Sequence, residues 1–192
     1  MLRLSRYTVL LDACVLYSAA LRELLIELAS TDLFRAKWTN QIQDEWISAL
    51  LERRPDIDKN KLLRTAELME LAVLDSRIEN YESLIESFVL PDPNDRHVLA
   101  AAVHANCDAI ITFNLKDFPE DILALHDIEL LHPDDFLNYQ FDLGEAAVIS
   151  SVQRIRGRLQ RPSMTSSEYL NRLEALGLPK IVAALRRFEK AI

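Results

Sequence analysis

Short apolar runs alternate with stretches of helical periodicity along the first 140 residues. Residues 9–11 form a short apolar run, and residues 109–112 form another that ends in a polar residue; such runs are typical of buried parallel strands. Two further strands are predicted over residues 33–38 and 127–131. Helices are predicted where apolar residues recur every three or four positions: 15–29, 40–53, 57–72 and 97–105. Strands that alternate with helices predict an α/β fold with a mostly parallel sheet flanked by helices.

The pattern changes near residue 141, beyond which only helices are predicted. Their ranges are 142–159, 166–176 and 179–191. We therefore predict a body of residues 1–141 and an all-helical C-terminal extension of residues 142–192. A separate short helix is expected just before this boundary, over residues 133–139, with a proline at its start.

Charge divides the chain at nearly the same place. The net charge is −8, but residues 1–139 carry 13 basic and 25 acidic residues, whereas residues 140–192 carry 9 and 5. The overall sign argues against a general nucleic-acid binder, although a basic tail on an acidic body is typical of a segment that faces a polyanion. The densest basic cluster consists of Arg154, Arg156, Arg158 and Arg161. Their alternate spacing does not place all four on one helix face.

Several kinds of protein are disfavoured by the sequence. No apolar run approaches the roughly 20 residues of a membrane span, and residues 1–6 leave no room for the apolar part of a secretory signal. Cys14 and Cys107 form neither a disulfide framework nor a metal-binding pattern, and we expect buried, reduced thiols. The expected protein is soluble and cytoplasmic, with no membrane partner.

Acidic side chains follow the predicted strands at the edge where α/β sheets bind ligands. Asp12 ends the first strand, Asn114 and Asp117 follow a later one, Asp95 begins a helix and Glu45 lies on another. Taken alone, Asp95 is best explained as a helix cap. Oxygen donors without Cys or His suit Mg²⁺ or Mn²⁺, which can activate water for phosphodiester hydrolysis. With 30 acidic residues, some chance clustering is also expected.

The order of these motifs resembles a PIN domain. The matching segments are Val-Leu-Leu-Asp12, Thr39-x5-Glu45, Asp-Pro-Asn-Asp95 and Ile-Ile-Thr-Phe-Asn114-Leu-Lys-Asp117. The resemblance covers about residues 7–140, and the most similar branch is the VapC-type toxins of bacterial toxin–antitoxin pairs. It implies a PIN-like three-layer fold and an endoribonuclease that cleaves RNA with Mg²⁺ or Mn²⁺. It also implies a homodimer that a cognate antitoxin holds inactive.

The resemblance implies catalytic and metal-binding roles for particular residues. Asp12, Glu45 and Asp95 match the three acidic ligands of the family, and the fourth polar position falls at Asn114 or Asp117. Many members carry Ser or Thr directly after the first Asp, where this chain has Ala13. The fine geometry of the site is therefore in question.

Basic residues add candidate contacts with the partners that the resemblance implies. Arg96, next to Asp95, is a candidate contact for phosphate or for a neighbouring carboxylate. The four arginines of the tail are candidate contacts for RNA or the antitoxin, and an ordinary solvated surface is the alternative explanation of their clustering. His97 and His104 lack the neighbours of a zinc site, so each is expected on the surface or in the core, with a lesser role for His97 at the rim of the pocket.

Three alternative functions remain open at this stage. A phosphatase of the haloacid dehalogenase type requires an Asp two positions after the first, where this chain has Cys14. A receiver-like domain requires an acidic pair near the N-terminus, which is missing, and a late lysine, for which Lys116 is a weak match. A catalytically silent PIN-like module that binds a partner is compatible with Ala13 and Asn114.

Overall fold

A four-stranded parallel sheet forms the centre of the computed structural model, which describes residues 7–160 and 162–192. Its strands are β1 (Thr8–Leu11), β2 (Arg35–Lys37), β3 (Ala109–Ile111) and β4 (Glu129–Leu131). They lie in the order β2-β1-β3-β4, and each adjacent pair is parallel. The predicted α/β class and parallel sheet are confirmed.

The two central strands account for the wholly apolar runs in the sequence. Every residue of β1 and β3 is buried, whereas the edge strands β2 and β4 each include an exposed residue. The chain passes from β1 to β2 on one side and later to β3 on the other. A crevice is expected at the carboxyl ends of β1 and β3 because the order of the strands reverses there.

Helices cover the sheet on both faces. Those of the body are α1 (Ala13–Tyr17), α2 (Ala19–Ala29), α3 (Asn40–Arg53), α4 (Lys59–Ala72), α5 (Arg96–His104) and α6 (Glu120–Ala124). Short 3₁₀ turns occupy Glu82–Ser87, Pro93–Asp95 and Leu115–Asp117. Thr39 caps α3 as its residue type predicts, accepting the Ile42 N–H at 3.0 Å. Trp46, on the inner face of α3, is fully buried as expected of a core residue.

Two predicted elements are wrong in detail. The helix predicted over residues 15–29 is broken at Ser18, whose ψ of 122° is extended. Apolar periodicity does not detect this break because the residues on both sides of it face the core. Near the break, the guanidinium of Arg22 donates a hydrogen bond to the carbonyl of Leu16 at 2.6 Å. The strand predicted over residues 33–38 shortens to β2, and Trp38 forms only an isolated bridge with Arg77.

The elements from residue 133 onward are helices, and from here the extension denotes residues 133–192 and the body the described residues before them. The extension comprises α7 (Pro133–Arg158), α8 (Ser166–Glu174) and α9 (Pro179–Arg186). The helices expected at 133–139 and 142–159 are the two halves of α7, which are separated by a kink at Gly144 (φ −151°, ψ 55°), just after the predicted boundary at residue 141. Before the kink, Phe136 packs edge-on against Phe34 of the body, with ring centroids 4.8 Å apart. No helix in residues 7–160 or 162–192 has the length and apolar character needed to cross a bilayer.

A buried carboxylate fixes α9 against the start of α7. Asp134 is 3% exposed, and its two oxygens accept the backbone N–H groups of Lys180 at 2.9 Å and Ile181 at 3.0 Å. These donors belong to the first turn of α9, which has no hydrogen-bonding cap residue of its own. Asp134 therefore performs the capping role from another helix.

We predict that Asp134→Ala lowers the free energy of unfolding by about 2–3 kcal/mol, because one buried and one partly buried N–H group lose a charged acceptor. Urea unfolding followed by circular dichroism measures the change. Asp135→Ala is the matched control, since Asp135 lies in the same turn but forms a partly exposed ion pair with Lys180. That pair contributes less than about 1 kcal/mol. Equal losses in the two variants would contradict the capping role.

Candidate active site

A cavity of about 420 Å³ lies at the carboxyl ends of β1 and β3. It brings together four of the predicted site residues, which come from separate parts of the chain: Asp12, Glu45, Asp95 and Asn114. The remaining lining residues are apolar or aromatic, apart from a thiol: Ala13, Cys14, Tyr17, Trp46 and Ala49. The cavity thus combines oxygen donors with largely apolar walls.

Asp12 is held by three donors at the end of β1 and is 5% exposed. Its Oδ1 accepts the Ala13 N–H at 2.7 Å, which caps α1, and its Oδ2 accepts the Thr112 hydroxyl at 2.7 Å and the Cys14 thiol at 3.1 Å. The Thr112 oxygen in turn accepts the Asn114 N–H at 2.9 Å. These bonds tie the end of β1 to the loop that follows β3, and they fix the orientation of the carboxylate.

Thr112 donates to Asp12 the kind of hydroxyl hydrogen bond that the alanine at position 13 cannot provide. Sequence reasoning missed this role, although a threonine that closes an apolar strand was the available signal. Cys14 is only partly buried, whereas a buried thiol was predicted, and its sulfur contacts Asp12 and Thr112. Burial, followed by the charge of Asp12, raises its pKa to about 12, so it remains a protonated donor at neutral pH. Cys107 is buried as predicted.

Glu45 projects from α3 and is partly exposed. Its Oε1 lies 2.9 Å from Nε2 of His97 and accepts a hydrogen bond from Gln41 at 3.2 Å. Both contacts fall on the same oxygen, and neither involves Oε2. One oxygen of Glu45 is therefore engaged by protein groups, while the side chain lines the cavity.

Asp95 immediately precedes α5 but does not cap it. Its side chain accepts no capping hydrogen bond, so the helix-cap explanation is wrong. Burial raises the pKa of Asp95 to about 6, with further contributions from the charges of Asp12, Asp92 and Asp117, while His97 opposes the shift. The site as it stands holds more negative charge than its surroundings balance.

The two candidates for the fourth polar position differ in their placement. Asn114 is exposed and lines the cavity, whereas Asp117 does not contribute to the lining. The charge of Asp117 nevertheless acts on Asp95. Asn114 therefore borders the cavity directly, whereas Asp117 lies outside its lining and adds negative potential at Asp95.

The oxygen donors of the cavity fit a hard divalent cation by type and by charge. In the described ranges 7–160 and 162–192, no three His, Cys, Asp or Glu side chains approach closely enough to form a ready-made metal site. Carboxylates without a counter-ion repel one another, and this repulsion adds to the effect of burial in raising the pKa of Asp95. A bound cation would draw the side chains together.

Two tail arginines are engaged with the body. Arg154 contacts Glu27 of α2 at 2.6 Å, and Arg158 contacts Glu27 at 2.7 Å and Glu23 at 3.4 Å. About half of each arginine side chain remains exposed. Part of the basic charge of the tail is therefore neutralised by the acidic face of α2.

The other basic candidates are dispersed. Arg156 donates to the Met164 carbonyl at 3.1 Å, whereas Arg154 and Arg158 contact α2, so these three arginines do not share a face, as their spacing predicted. Arg96 forms an ion pair with Glu86 at 3.3 Å. Arg161, also a predicted contact, lies outside the described residues.

Comparisons with known proteins agree with the geometry. A family profile described as "PIN domain" matches residues 8–116, more than half of the chain, and one described as "VapC50 C-terminal domain" matches residues 133–187. "Putative ribonuclease VapC50" of Mycobacterium tuberculosis (strain ATCC 25618 / H37Rv) is 43% identical over 95 residues, which make up 48% of this chain and 54% of that protein. The chain thus spans about half the length of this curated relative. No solved structure matches the chain.

We predict that Asp95→Asn raises the melting temperature in EDTA at pH 7.5. The folded-state pKa of about 6 exceeds the ordinary value of 3.8, so ionisation destabilises the fold as pH rises through this window. After allowance for solvent screening, removing the charge stabilises by ~1 kcal/mol, or about 2–4 °C. The gain shrinks as pH falls from 7.5 to 5, because the parent carboxyl becomes protonated.

Differential scanning fluorimetry measures these melting temperatures. Asp44→Asn is the control, because Asp44 is exposed on α3 and lies outside the cavity lining. It should leave the melting temperature nearly unchanged at both pH values. A lower melting temperature for Asp95→Asn at pH 7.5 would show that Asp95 has a stabilising role that the raised pKa does not predict.

Proposed function

The chain belongs to the PIN-domain family, and from this premise we propose that it is an endoribonuclease that hydrolyses RNA phosphodiester bonds with Mg²⁺ or Mn²⁺ as cofactor. The convergence of Asp12, Glu45, Asp95 and Asn114 on one cavity carries the proposal. RNA as substrate is supported by the mycobacterial relative, whose name is "Putative ribonuclease VapC50".

The charge of the cavity supports the choice of cofactor. Its ionisable donors are carboxylates, and the pKa of Asp95 is raised to about 6, first by burial and then by the charges of neighbouring acids. Mg²⁺ and Mn²⁺ bind such oxygen donors and keep positions open for water and phosphate. When bound, a divalent ion of this kind lowers the pKa of a water and offsets the charge that develops on the phosphate.

We assign the residues of the cavity the following roles. Asp12, held rigidly by Thr112 and the Ala13 N–H, is the fixed ligand about which the site is built. Glu45 and Asp95 are the further acidic ligands. Asn114 supplies an uncharged oxygen, which adds a ligand without adding repulsion, and Asp117 contributes negative potential. Since Thr112 holds Asp12, the absence of a hydroxyl at position 13 does not favour a silent site.

We also propose that the protein is the toxin of a toxin–antitoxin pair, with a homodimer as its working form and a cognate antitoxin as its inhibitor. This assignment is supported by the match of residues 133–187 to the family profile described as "VapC50 C-terminal domain". The structure adds an apolar surface, since α4 and the residues after it expose large side chains: Leu63, Leu68, Leu71 and Leu74. Apolar surface of this kind is typical of a protein–protein contact.

We predict that Asp12→Asn lowers metal-dependent cleavage of RNA by roughly 100-fold or more while keeping the fold, because the fixed ligand loses its charge. The measurement is cleavage of total RNA by purified protein with Mg²⁺, with Mn²⁺ and with EDTA, beside a thermal melt. Asp44→Asn, on the exposed face of α3, should cleave like the parent.

Two results would contradict different parts of this proposal. If Asp12→Asn cleaves like the parent, the site assignment is wrong. If the parent, shown to be free of bound partner, cleaves no RNA with either metal, the chain is better explained as a catalytically silent PIN-like module that binds a partner.

The tail arginines are proposed to contact RNA or the antitoxin, and their ion pairs require a matched control. Arg154→Gln with Arg158→Gln removes two positive charges and also breaks the contacts with α2. Glu23→Gln with Glu27→Gln breaks the same contacts but keeps the arginines. We predict that only the arginine variant loses affinity for RNA or antitoxin, by about 3-fold to 10-fold, measured by fluorescence anisotropy. Equal losses in both variants would mean that the arginines only anchor the tail.

A further inference from the structure

His97 is a polar side chain in an apolar place. It lies in the first turn of α5, two positions after Asp95, and is 4% exposed. The residues that follow it, Val98 and Leu99, are completely buried. Its Nδ1 has no hydrogen-bond partner within residues 7–160 and 162–192. A buried ring nitrogen without a partner is unfavourable, and an apolar side chain would avoid this penalty.

The other ring nitrogen makes the contact that explains the residue. Nε2 lies 2.9 Å from Oε1 of Glu45, which is within hydrogen-bonding distance. A neutral ring with its proton on Nε2 can donate to this carboxylate, and it leaves no buried N–H without an acceptor at Nδ1. The contact joins α5, which Asp95 directly precedes, to α3, which bears Glu45 at the cavity.

The contact restrains a side chain that would otherwise be mobile. Glu45 has three side-chain torsions and is 39% exposed, so its carboxylate has little packing to hold it. His97 and Gln41 both approach Oε1, and Oε2 takes part in neither contact. His97 is itself outside the cavity lining, whereas Glu45 is part of it. His97 is thus placed behind Glu45 with respect to the cavity.

We propose that His97 is the positioning residue for Glu45: by holding Oε1, it directs Oε2 to the divalent cation of the cavity. The inference rests on the proposed function, because it takes Glu45 as a metal ligand. Groups that hydrogen-bond to metal ligands orient them and raise metal affinity. This positioning role explains why a histidine occupies the buried position although its Nδ1 has no hydrogen-bond partner in the described residues.

The test is Mn²⁺ affinity, measured on the full chain by electron paramagnetic resonance of free Mn²⁺ after removal of bound metal. We expect His97→Leu to weaken Mn²⁺ binding by roughly 10-fold to 100-fold. His97→Gln keeps an N–H donor near the position of Nε2 and should recover most of the affinity. His104→Leu is the control, because His104 is exposed at the far end of the same helix, and it should bind like the parent.

A second set of variants separates positioning from general support of the fold. In a Glu45→Gln background, His97→Leu should cause no further loss of Mn²⁺ affinity, because the group it acts through has already been changed. A structural role would give the same additional loss in both backgrounds. Circular dichroism checks folding, and His97→Met replaces His97→Leu if the latter unfolds.

The outcomes distinguish this inference from the proposed function. If His97→Leu folds and binds Mn²⁺ like the parent, or if His97→Gln is as weak as His97→Leu, the positioning role is overturned, while Asp12→Asn still reports on the site itself. If the parent binds no Mn²⁺, the proposed function fails and the inference fails with it.

Discussion

Repulsion between carboxylates at one edge of the sheet is the constraint on which the rest of this structure depends. Asp12, Glu45 and Asp95 come from three different segments, and the fold holds them around one cavity although their charges oppose it. Each is restrained differently: Asp12 by three hydrogen bonds, Glu45 by contacts to one oxygen, and Asp95 by its place at the end of a 3₁₀ turn, directly before α5. Burial of β1 and α5 in the core supplies the free energy that keeps the charges near one another.

The sequence was sufficient for the elements that carry the acids, because they coincide with simple patterns. An apolar run that ends in Asp12 predicts a buried strand with a carboxylate at its carboxyl end, and Thr39 predicts the start of the helix that bears Glu45. The position of Asp95 at a helix start was also predictable, but the absence of a capping bond was not. Whether a side chain at an N-cap turns to its helix or to a cavity depends on neighbours that are distant in sequence.

The features that sequence reasoning missed are those that depend on backbone direction or on distant partners. Periodicity identifies an apolar face, so it reads continuously through the break at Ser18, and it places the division of α7 slightly before the kink at Gly144. The bond from Thr112 to Asp12 joins residues 100 positions apart and has no local signature. The basic tail was interpreted through its charge alone, whereas Arg154 and Arg158 lie against the acidic face of α2. Part of that charge asymmetry reflects contact within the chain.

The kinked helix α7 has a consequence for the order in which this chain can fold during synthesis. The body precedes the tail along the chain, but Phe34 remains uncovered until the first half of α7 brings Phe136 against it. The acidic face of α2 stays unpaired for longer still, until the arginines beyond Gly144 have left the ribosome. A nascent body therefore exposes part of its core until the start of the extension emerges, so the extension completes the domain that precedes it.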